Sequence, residues 1–132
     1  MVIIRKISEV PEYDVREAYG QDAEGVTIRW ITDSKTGGDE YLHNFALRYF
    51  VFKPGGYMAL HQHPWEQEIA VTKGKFKILG GQSDEIVEAG DVAYFPADED
   101  HGFQNIGDET GEFYCVIGCI GKGENCIGIV EE

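Results

Sequence analysis

Residues 53–74 read KPGGYMALHQHPWEQEIAVTKG, and this stretch decides the fold that we expect. His61 and His63 stand one residue apart among alternating apolar residues. Residues i and i+2 share one face of a β-strand, so both imidazoles should project in the same direction. Gln67 follows closely, and His101 stands further along in PADEDHGFQN. Three imidazoles and a fourth polar side chain that converge inside a small barrel are typical of a divalent transition-metal site.

The length and charge of the chain limit the possible partners. At 132 residues and 42% hydrophobic content, residues 1–132 should form one domain that buries its own core. The net charge of −13 would repel phosphate backbones and anionic lipids, so we expect neither a nucleic-acid nor a membrane partner. The start, MVIIRKISEV, has no signal-peptide pattern. Three cysteines, an odd number, fit free thiols in the cytoplasm: Cys115, Cys119 and Cys126.

Short apolar runs separated by glycine and proline turns predict an all-β antiparallel sandwich or barrel. The predicted strands are 26–31, 45–52, 57–61, 68–72, 76–79, 85–88, 92–95, 102–105 and 113–117. Strand 45–52 is apolar on both faces, which indicates that both faces are covered. A subunit partner could cover one of them. Pro54, Gly55 and Gly56 should end this strand.

The two ends of the chain are less regular. Ile3, Ile4 and Ile7 favour a short first strand, and residues 8–19 fit either a short helix or an irregular arm. The barrel core should span about residues 45–117, preceded by an N-terminal arm over 1–44. Residues 118–132 should form a tail that packs along the outside or is partly loose.

Two spaced motifs carry a resemblance to a known family. The first is Gly55-x5-His61-x-His63-x3-Gln67-x6-Gly74, and the second is Gly90-x5-Pro96-x4-His101-x3-Asn105. The pair, in this order and with a short spacer, resembles the two-part signature of the cupins. That resemblance implies a jelly-roll β-barrel (a double-stranded β-helix) with one metal bound by His61, His63, the residue at position 67 and His101.

The segment HQHPWEQE is similar to the segment HxHPWEHE of small single-domain cupins, a group that includes proteins described as oxalate decarboxylases. Those proteins carry a histidine where this chain has Gln67. Glu68 is the alternative fourth ligand, since it fits a looser spacing. We favour Gln67, because it shares a strand face with the barrel-filling Ile69 and Val71, and a slip of one residue would reverse every side chain.

The fourth ligand decides the charge of the site. Three histidines with Gln67 form a neutral set, which leaves the full 2+ charge on the ion and attracts anions more strongly than a set with a carboxylate. The resemblance points to manganese or iron first, with nickel, zinc and copper as alternatives. In the second motif Asp98 stands where the family has glycine, and aspartate tolerates the left-handed backbone of that turn better than most residues.

Other side chains are candidates for substrate binding. Trp65 would lie at the rim or wall of the barrel, as a core residue or as a flat apolar wall for a ligand. Arg48, in an otherwise apolar strand, needs either an internal carboxylate or an acidic ligand. Phe103 and Tyr94 are further candidates for the cavity lining. The acidic run 98–100 before His101 would discourage a free dianion from entering.

These observations lead to two hypotheses of different classes. The first is a metalloenzyme with dioxygenase- or decarboxylase-type chemistry on a small oxygen-bearing molecule. The second is a non-catalytic module that binds or senses a small ligand, which the missing carboxylate at position 67 favours. A third hypothesis, sugar-phosphate isomerisation, is less consistent with the sequence, because no basic phosphate pocket is evident. By resemblance to similar small cupins, we also expect a homodimer that pairs through N-terminal strands.

Overall fold

The computed structural model describes residues 2–32, 45–80 and 82–118, which form a nearly closed antiparallel β-barrel. The all-β barrel predicted from the sequence is confirmed. In chain order the elements are a 3-10 turn Ile7–Glu9, β1 Tyr13–Asp14, α1 Val15–Tyr19, β2 Ala23–Trp30, β3 Phe45–His61, β4 Gln67–Lys73, β5 Lys75–Gly80, β6 Glu85–Glu88, β7 Val92–Phe95, β8 His101–Asn105 and β9 Gly111–Gly118.

Strand β3 connects the two sides of the barrel. Its first half pairs with β9, from Phe45 opposite Gly118 to Phe52 opposite Gly111. Its second half pairs with β8, so that His61 lies opposite His101. The strand order is β6-β5-β8-β3-β9-β4-β7, and β2 pairs with β3 outside this path. One long strand therefore carries residues from the apolar core to the candidate site.

The expected break at Pro54, Gly55 and Gly56 is wrong, because β3 runs without interruption from Phe45 to His61. The neighbouring strand β2 pairs on both sides of these residues and absorbs them by a register shift between Glu24 and Val26. A side chain at residue 56 would meet backbone oxygens of Gly25 and Lys53 at 2.9 Å. Glycine here permits a close approach of two strands rather than the end of one.

The predicted first strand at Ile3, Ile4 and Ile7 is also wrong. Ile3 and Ile4 are exposed, and Ile7 begins the 3-10 turn. The short helix left open for residues 8–19 is present as α1. Its N-cap Asp14 accepts a hydrogen bond from the Glu17 amide, and its left-handed C-cap Gly20 ends it after five residues.

Phenylalanine rings from both sides of the barrel form the centre of the core. Phe113 is fully buried, and its ring centroid lies 5.1–5.4 Å from those of Phe50, Phe52, Phe76 and Phe103. Tilted and edge-to-face contacts of this kind add to the free energy of simple burial. The rings come from β3, β5, β8 and β9, so this cluster holds in place the strands that carry His61 and His101.

Asn105, the last residue of the second motif, links three segments behind the site. Only 2% of its surface is exposed. Its Nδ2 donates to the carbonyl oxygens of Phe52 and Lys53, both at 3.1 Å, and of Glu109 at 2.9 Å. Its Oδ1 accepts from the Gly107 amide at 3.0 Å. The side chain thus satisfies backbone groups that would otherwise be buried without partners.

Some predictions concern residues that the structure does not describe. The tail residues 119–132 lie there, with Cys119 and Cys126. Cys115 is described, and it is buried as a free thiol, as predicted. On the outer face of β3, Phe45 is exposed and Leu47, Tyr49 and Val51 are half-buried. The pairing of two subunits through this region stays a prediction. Within the described residues, no helix has the length and apolar character to cross a membrane.

Candidate metal site

Three imidazoles converge where β3 ends and β8 begins. His61 and His101 face each other in the β3–β8 pairing, with ring centroids 4.5 Å apart. His63 follows in the loop after β3, with its ring 4.9 Å from that of His101 and 5.7 Å from that of His61. One ring nitrogen from each residue lies within 4.8 Å of the others, close enough for all three to hold one ion.

Backbone carbonyls fix the orientation of all three rings. The Nδ1 atoms of His61 and His101 lie 2.9 Å from the carbonyl oxygens of Ala59 and Glu99, and Nδ1 of His63 lies 3.3 Å from that of Trp65. A carbonyl oxygen only accepts, so Nδ1 must carry the proton in each ring. The lone pair is then on Nε2, which is the tautomer that metal-binding histidines require.

The Nε2 atom of His101 is buried and has no hydrogen-bond partner among the described residues. Buried polar atoms in folded proteins nearly always have a partner, so an orphaned acceptor calls for a specific explanation. A metal ion bound by the three Nε2 atoms would provide it. The donor set therefore fits a divalent ion that accepts nitrogen ligands.

The surroundings keep the three imidazoles neutral. Burial lowers the pKa of His63 to about 3, with contributions from the charges of His101 and Arg48. Burial also lowers the pKa of His101 to about 4, aided by the neighbouring His61. The pKa of His61 is lowered for the same main reason. At neutral pH all three rings thus have a free lone pair for a ligand.

Gln67, the predicted fourth ligand, is the first residue of β4 and lies on its inner face. Gln67 is 3% exposed and shares the buried face with Ile69 and Val71, as the strand phase predicted. Glu68 is exposed on the opposite face, where it pairs in register with Tyr94 of β7. Gln67 also lines the same cavity as His61 and His63. The amide, not the carboxylate, is thus the side chain available to the site.

Trp65 supports His63 from one side. The two rings stack with centroids 4.1 Å apart and an angle of 2° between their planes. Trp65 is buried, and its Nε1 has no hydrogen-bond partner within the described ranges. Phe95 packs against His101, with ring centroids 4.9 Å apart. These aromatic contacts limit the rotation of two of the three imidazoles.

A cavity of about 270 Å³ opens beside the histidines. Of the four predicted substrate-binding residues, Arg48, Trp65 and Phe103 line it. Tyr94 does not: it lies on the outer face of β7, is 54% exposed, and donates its hydroxyl to Glu66 at 2.7 Å. Tyr94 alternates outward because the neighbouring Phe95 takes the inward position of the strand.

Several lining residues were not predicted as site residues. Val15 and Tyr19 of α1 and Gln21 after it also line the cavity. No pattern in the sequence places that helix over the barrel, because the contact is made between segments that are distant along the chain. Ile28 and Met58 also line it. Those two could have been found, since each shares the inward phase of its strand with other buried residues.

Hydrogen bonds join the loop after β3, in the first motif, to the loop before β8, in the second motif. Asp98 has a left-handed φ of 65°, as expected at a position where the family that the motifs resemble has glycine. Its amide donates to the His63 carbonyl oxygen at 2.9 Å. Gln62, which lines the cavity, donates to the Asp100 carboxylate at 3.0 Å. The acidic run 98–100 is exposed. It therefore contributes negative charge close to one side of the cavity.

The lowered histidine pKa values predict a pH dependence for the metal-free protein. Each folded pKa lies below the ordinary value of 6.5, so the unfolded chain binds more protons between about pH 6.5 and 4. The free energy of unfolding should therefore fall as the pH is lowered through this range. Denaturant titrations at several pH values, compared with His63→Gln, measure it. The variant should show a shallower slope, and equal slopes would contradict the prediction.

Comparison with known proteins agrees with this geometry. Residues 48–117, more than half of the chain, match the model of the Cupin domain family. No curated protein matches the sequence. The fold is similar to the polyketide cyclase RemF from Streptomyces resistomycificus, with 27% identity, a TM-score of 0.75, and coverage of 91% of this chain and 81% of that one.

Two further solved structures support the fold alone, because their sequence identities are low. A predicted oxalate decarboxylase from Thermotoga maritima has 19% identity and a TM-score of 0.73, and the match covers 89% of this chain and all of that one. A cupin-2 domain from Rhodospirillum rubrum has 23% identity and a TM-score of 0.68, with 90% and 75% coverage.

Proposed function

Because the chain belongs to the cupin family, we propose that it is a metalloenzyme acting on a small oxygen-bearing organic molecule. The observation that carries the proposal is the His61, His63 and His101 cluster, in which every Nδ1 contacts a backbone carbonyl and every Nε2 is left to bind an ion. Manganese or iron is proposed first, with nickel, zinc and copper as alternatives. A bound ion of this kind supplies Lewis acidity or a centre for O2 activation.

The protein residues define what can bind beside the ion. Gln67 adds no charge, so the site retains the attraction of the ion for an anionic or carbonyl oxygen. Phe103 and Trp65 provide apolar walls that exclude water from the ligand. The reaction classes that we propose are dioxygenase- and decarboxylase-type chemistry. The similarity to a polyketide cyclase is compatible with a ligand rich in carbonyl oxygens.

One observation favours a second candidate function, a module that binds its ligand without converting it. No aspartate or glutamate within the described ranges lines the cavity, so no carboxylate is available there to move a proton. A ligand that the metal-loaded protein binds and returns unchanged under O2 would support this candidate.

The test of the metalloenzyme begins with metal-free protein loaded separately with Mn2+, Fe2+, Ni2+, Zn2+ and Cu2+. Metal per chain is measured first, and then O2 uptake and CO2 release with a panel of small oxo acids and aromatic acids. O2 uptake indicates an oxygenase and CO2 release without it a decarboxylase. Full turnover by metal-free protein, or failure to bind any of the five ions, would overturn the proposal.

Exchange of Gln67 tests the fourth ligand position. Gln67→Glu should raise the affinity for Mn2+ by roughly tenfold, because it adds a negative charge and a carboxylate oxygen that a hard ion prefers. Gln67→Ala should lower the affinity by a similar factor. Glu68→Ala is the matched control, since that side chain faces solvent, and it should leave the affinity unchanged. Competition titration with a chelator measures all three, and a larger effect at residue 68 would assign the ligand there.

A further inference from the structure

Arg48 is a buried cation without a carboxylate partner among the described residues. It is 8% exposed. Its Nη2 donates to the Cys115 sulfur at 2.9 Å, and its guanidinium lies 5.1 Å from the Trp30 ring and 5.0 Å from the Phe50 ring. Its Nε has no acceptor in the part of the chain that the structure describes. In residues 2–32, 45–80 and 82–118, ion pairs join Arg16 to Glu24 and Arg29 to Glu12, and none reaches Arg48.

The groups around Arg48 do not neutralise its charge. A thiol is a weak acceptor, and burial raises the pKa of Cys115, so the sulfur stays protonated and neutral. Two aromatic faces attract the cation but carry no net charge. Buried charges in proteins are normally paired with an opposite charge. An arginine kept without one therefore leaves a place for an anion.

The unpaired charge faces the candidate metal site. Arg48 lines the same cavity as His61, His63 and Gln67. A ligand bound next to the imidazoles would therefore have this cation within its own reach.

The remaining walls limit the kind of anion. Phe50, Phe103, Met58 and Ile28 give the cavity apolar surfaces, which match a carbon skeleton rather than a free inorganic anion. The volume of about 270 Å³ lies just below the usual range of ligand pockets, about 300–1,000 Å³, which suits a small molecule. The exposed acidic run 98–100 beside the cavity opposes a second negative charge.

We propose that Arg48 anchors the carboxylate of a small organic monoacid whose apolar body lies against Phe50 and Phe103. The guanidinium fork matches a carboxylate better than it matches a neutral carbonyl or hydroxyl group. The inference deepens the proposed function, because it assigns the substrate class of the same cavity. The anchor itself needs no metal, so it can be tested separately.

The probes are benzoate and benzamide, which have the same shape and differ in charge. Each is titrated calorimetrically into metal-free wild-type protein. Benzoate should bind roughly ten- to a hundredfold more tightly, as expected for a hydrogen-bonded charge pair in a buried site. Arg48→Met should abolish this preference, so that the two affinities differ by a factor of about 1. Arg48→Lys should retain only part of it, since the charge remains and the guanidinium fork is lost.

Arg29→Met is the matched control. Arg29 lies on the neighbouring strand β2, bonds to Glu12 and the Val10 carbonyl oxygen, and does not line the cavity, so its loss should not change the preference for benzoate. Equal affinity for the two probes in the wild type, or no benzoate binding at millimolar concentration, would overturn the proposal. The same holds if Arg48→Met keeps the preference. If Arg48→Met does not fold, the wild-type and Arg48→Lys titrations still decide.

Metal content measured on the same preparations separates this inference from the proposed function. A preference for benzoate in a protein that takes up no metal would support the anchor and overturn the metalloenzyme. Metal binding with no such preference would overturn the anchor alone.

Discussion

Replacing His101 by alanine is expected to lower the affinity for a divalent metal by more than a hundredfold. His101 is 1% exposed, and its Nε2 has no partner among the described residues. Loss of the outer hydrogen-bond partners of ligands already costs about 10–100-fold in affinity, and loss of a ligand itself should exceed that. After loading and desalting, the metal content measured by elemental analysis should fall from about one ion per chain to a small fraction of that.

A matched control keeps this result interpretable. Gln104→Ala changes a neighbouring residue of β8 whose side chain faces solvent, so it should bind metal as the wild type does. Circular dichroism and thermal unfolding of both metal-free variants check that the barrel is intact. If folded His101→Ala protein still holds close to one ion per chain, the histidine cluster is not the metal site.

The second large effect concerns Asn105, whose replacement by aspartate should destabilise the fold by about 3–5 kcal/mol at neutral pH. The change keeps the shape of the side chain but removes the donor Nδ2. A carboxylate would then face the carbonyl oxygens of Phe52, Lys53 and Glu109 at about 3 Å. Acceptor would oppose acceptor in a buried place.

Gln104→Glu is the control for Asn105→Asp, because it makes the same chemical change on the exposed face of the same strand. Its effect should stay within about 0.5 kcal/mol. The loss in Asn105→Asp should also become smaller at low pH, where the buried carboxyl takes up a proton and can donate again. Denaturant titrations of both variants measure this, and equal destabilisation of the two would contradict the role of Asn105.

Local patterns were sufficient for most of the barrel. Strand alternation in β4 correctly placed Gln67 inside and Glu68 outside, because a pleated strand has only two faces and Ile69 and Val71 had to be buried. The same alternation explains why Tyr94 faces solvent. Its aromatic side chain suggested the cavity, but the phase set by Phe95 points it outward.

Features that depend on pairing partners could not be read locally. Pro54, Gly55 and Gly56 have the composition of a turn, yet β2 on the neighbouring side keeps them in one strand. Likewise, the apolar start of the chain resembled a strand, but none of the described strands pairs with it. Composition describes the preference of a segment alone, and strand formation needs the hydrogen bonds of a neighbour.

The sequence by itself determined the all-β class, the two motifs and the three histidines with Gln67, since spacing and strand phase are local properties. Only the tertiary structure decided that the histidine rings meet, that backbone carbonyls fix their tautomers, and that α1 lines the cavity. It alone also showed that no carboxylate among the described residues pairs with Arg48. The physical reason is that burial, hydrogen-bond partners and charge pairing arise between segments far apart in the chain, and only folding brings those segments into contact.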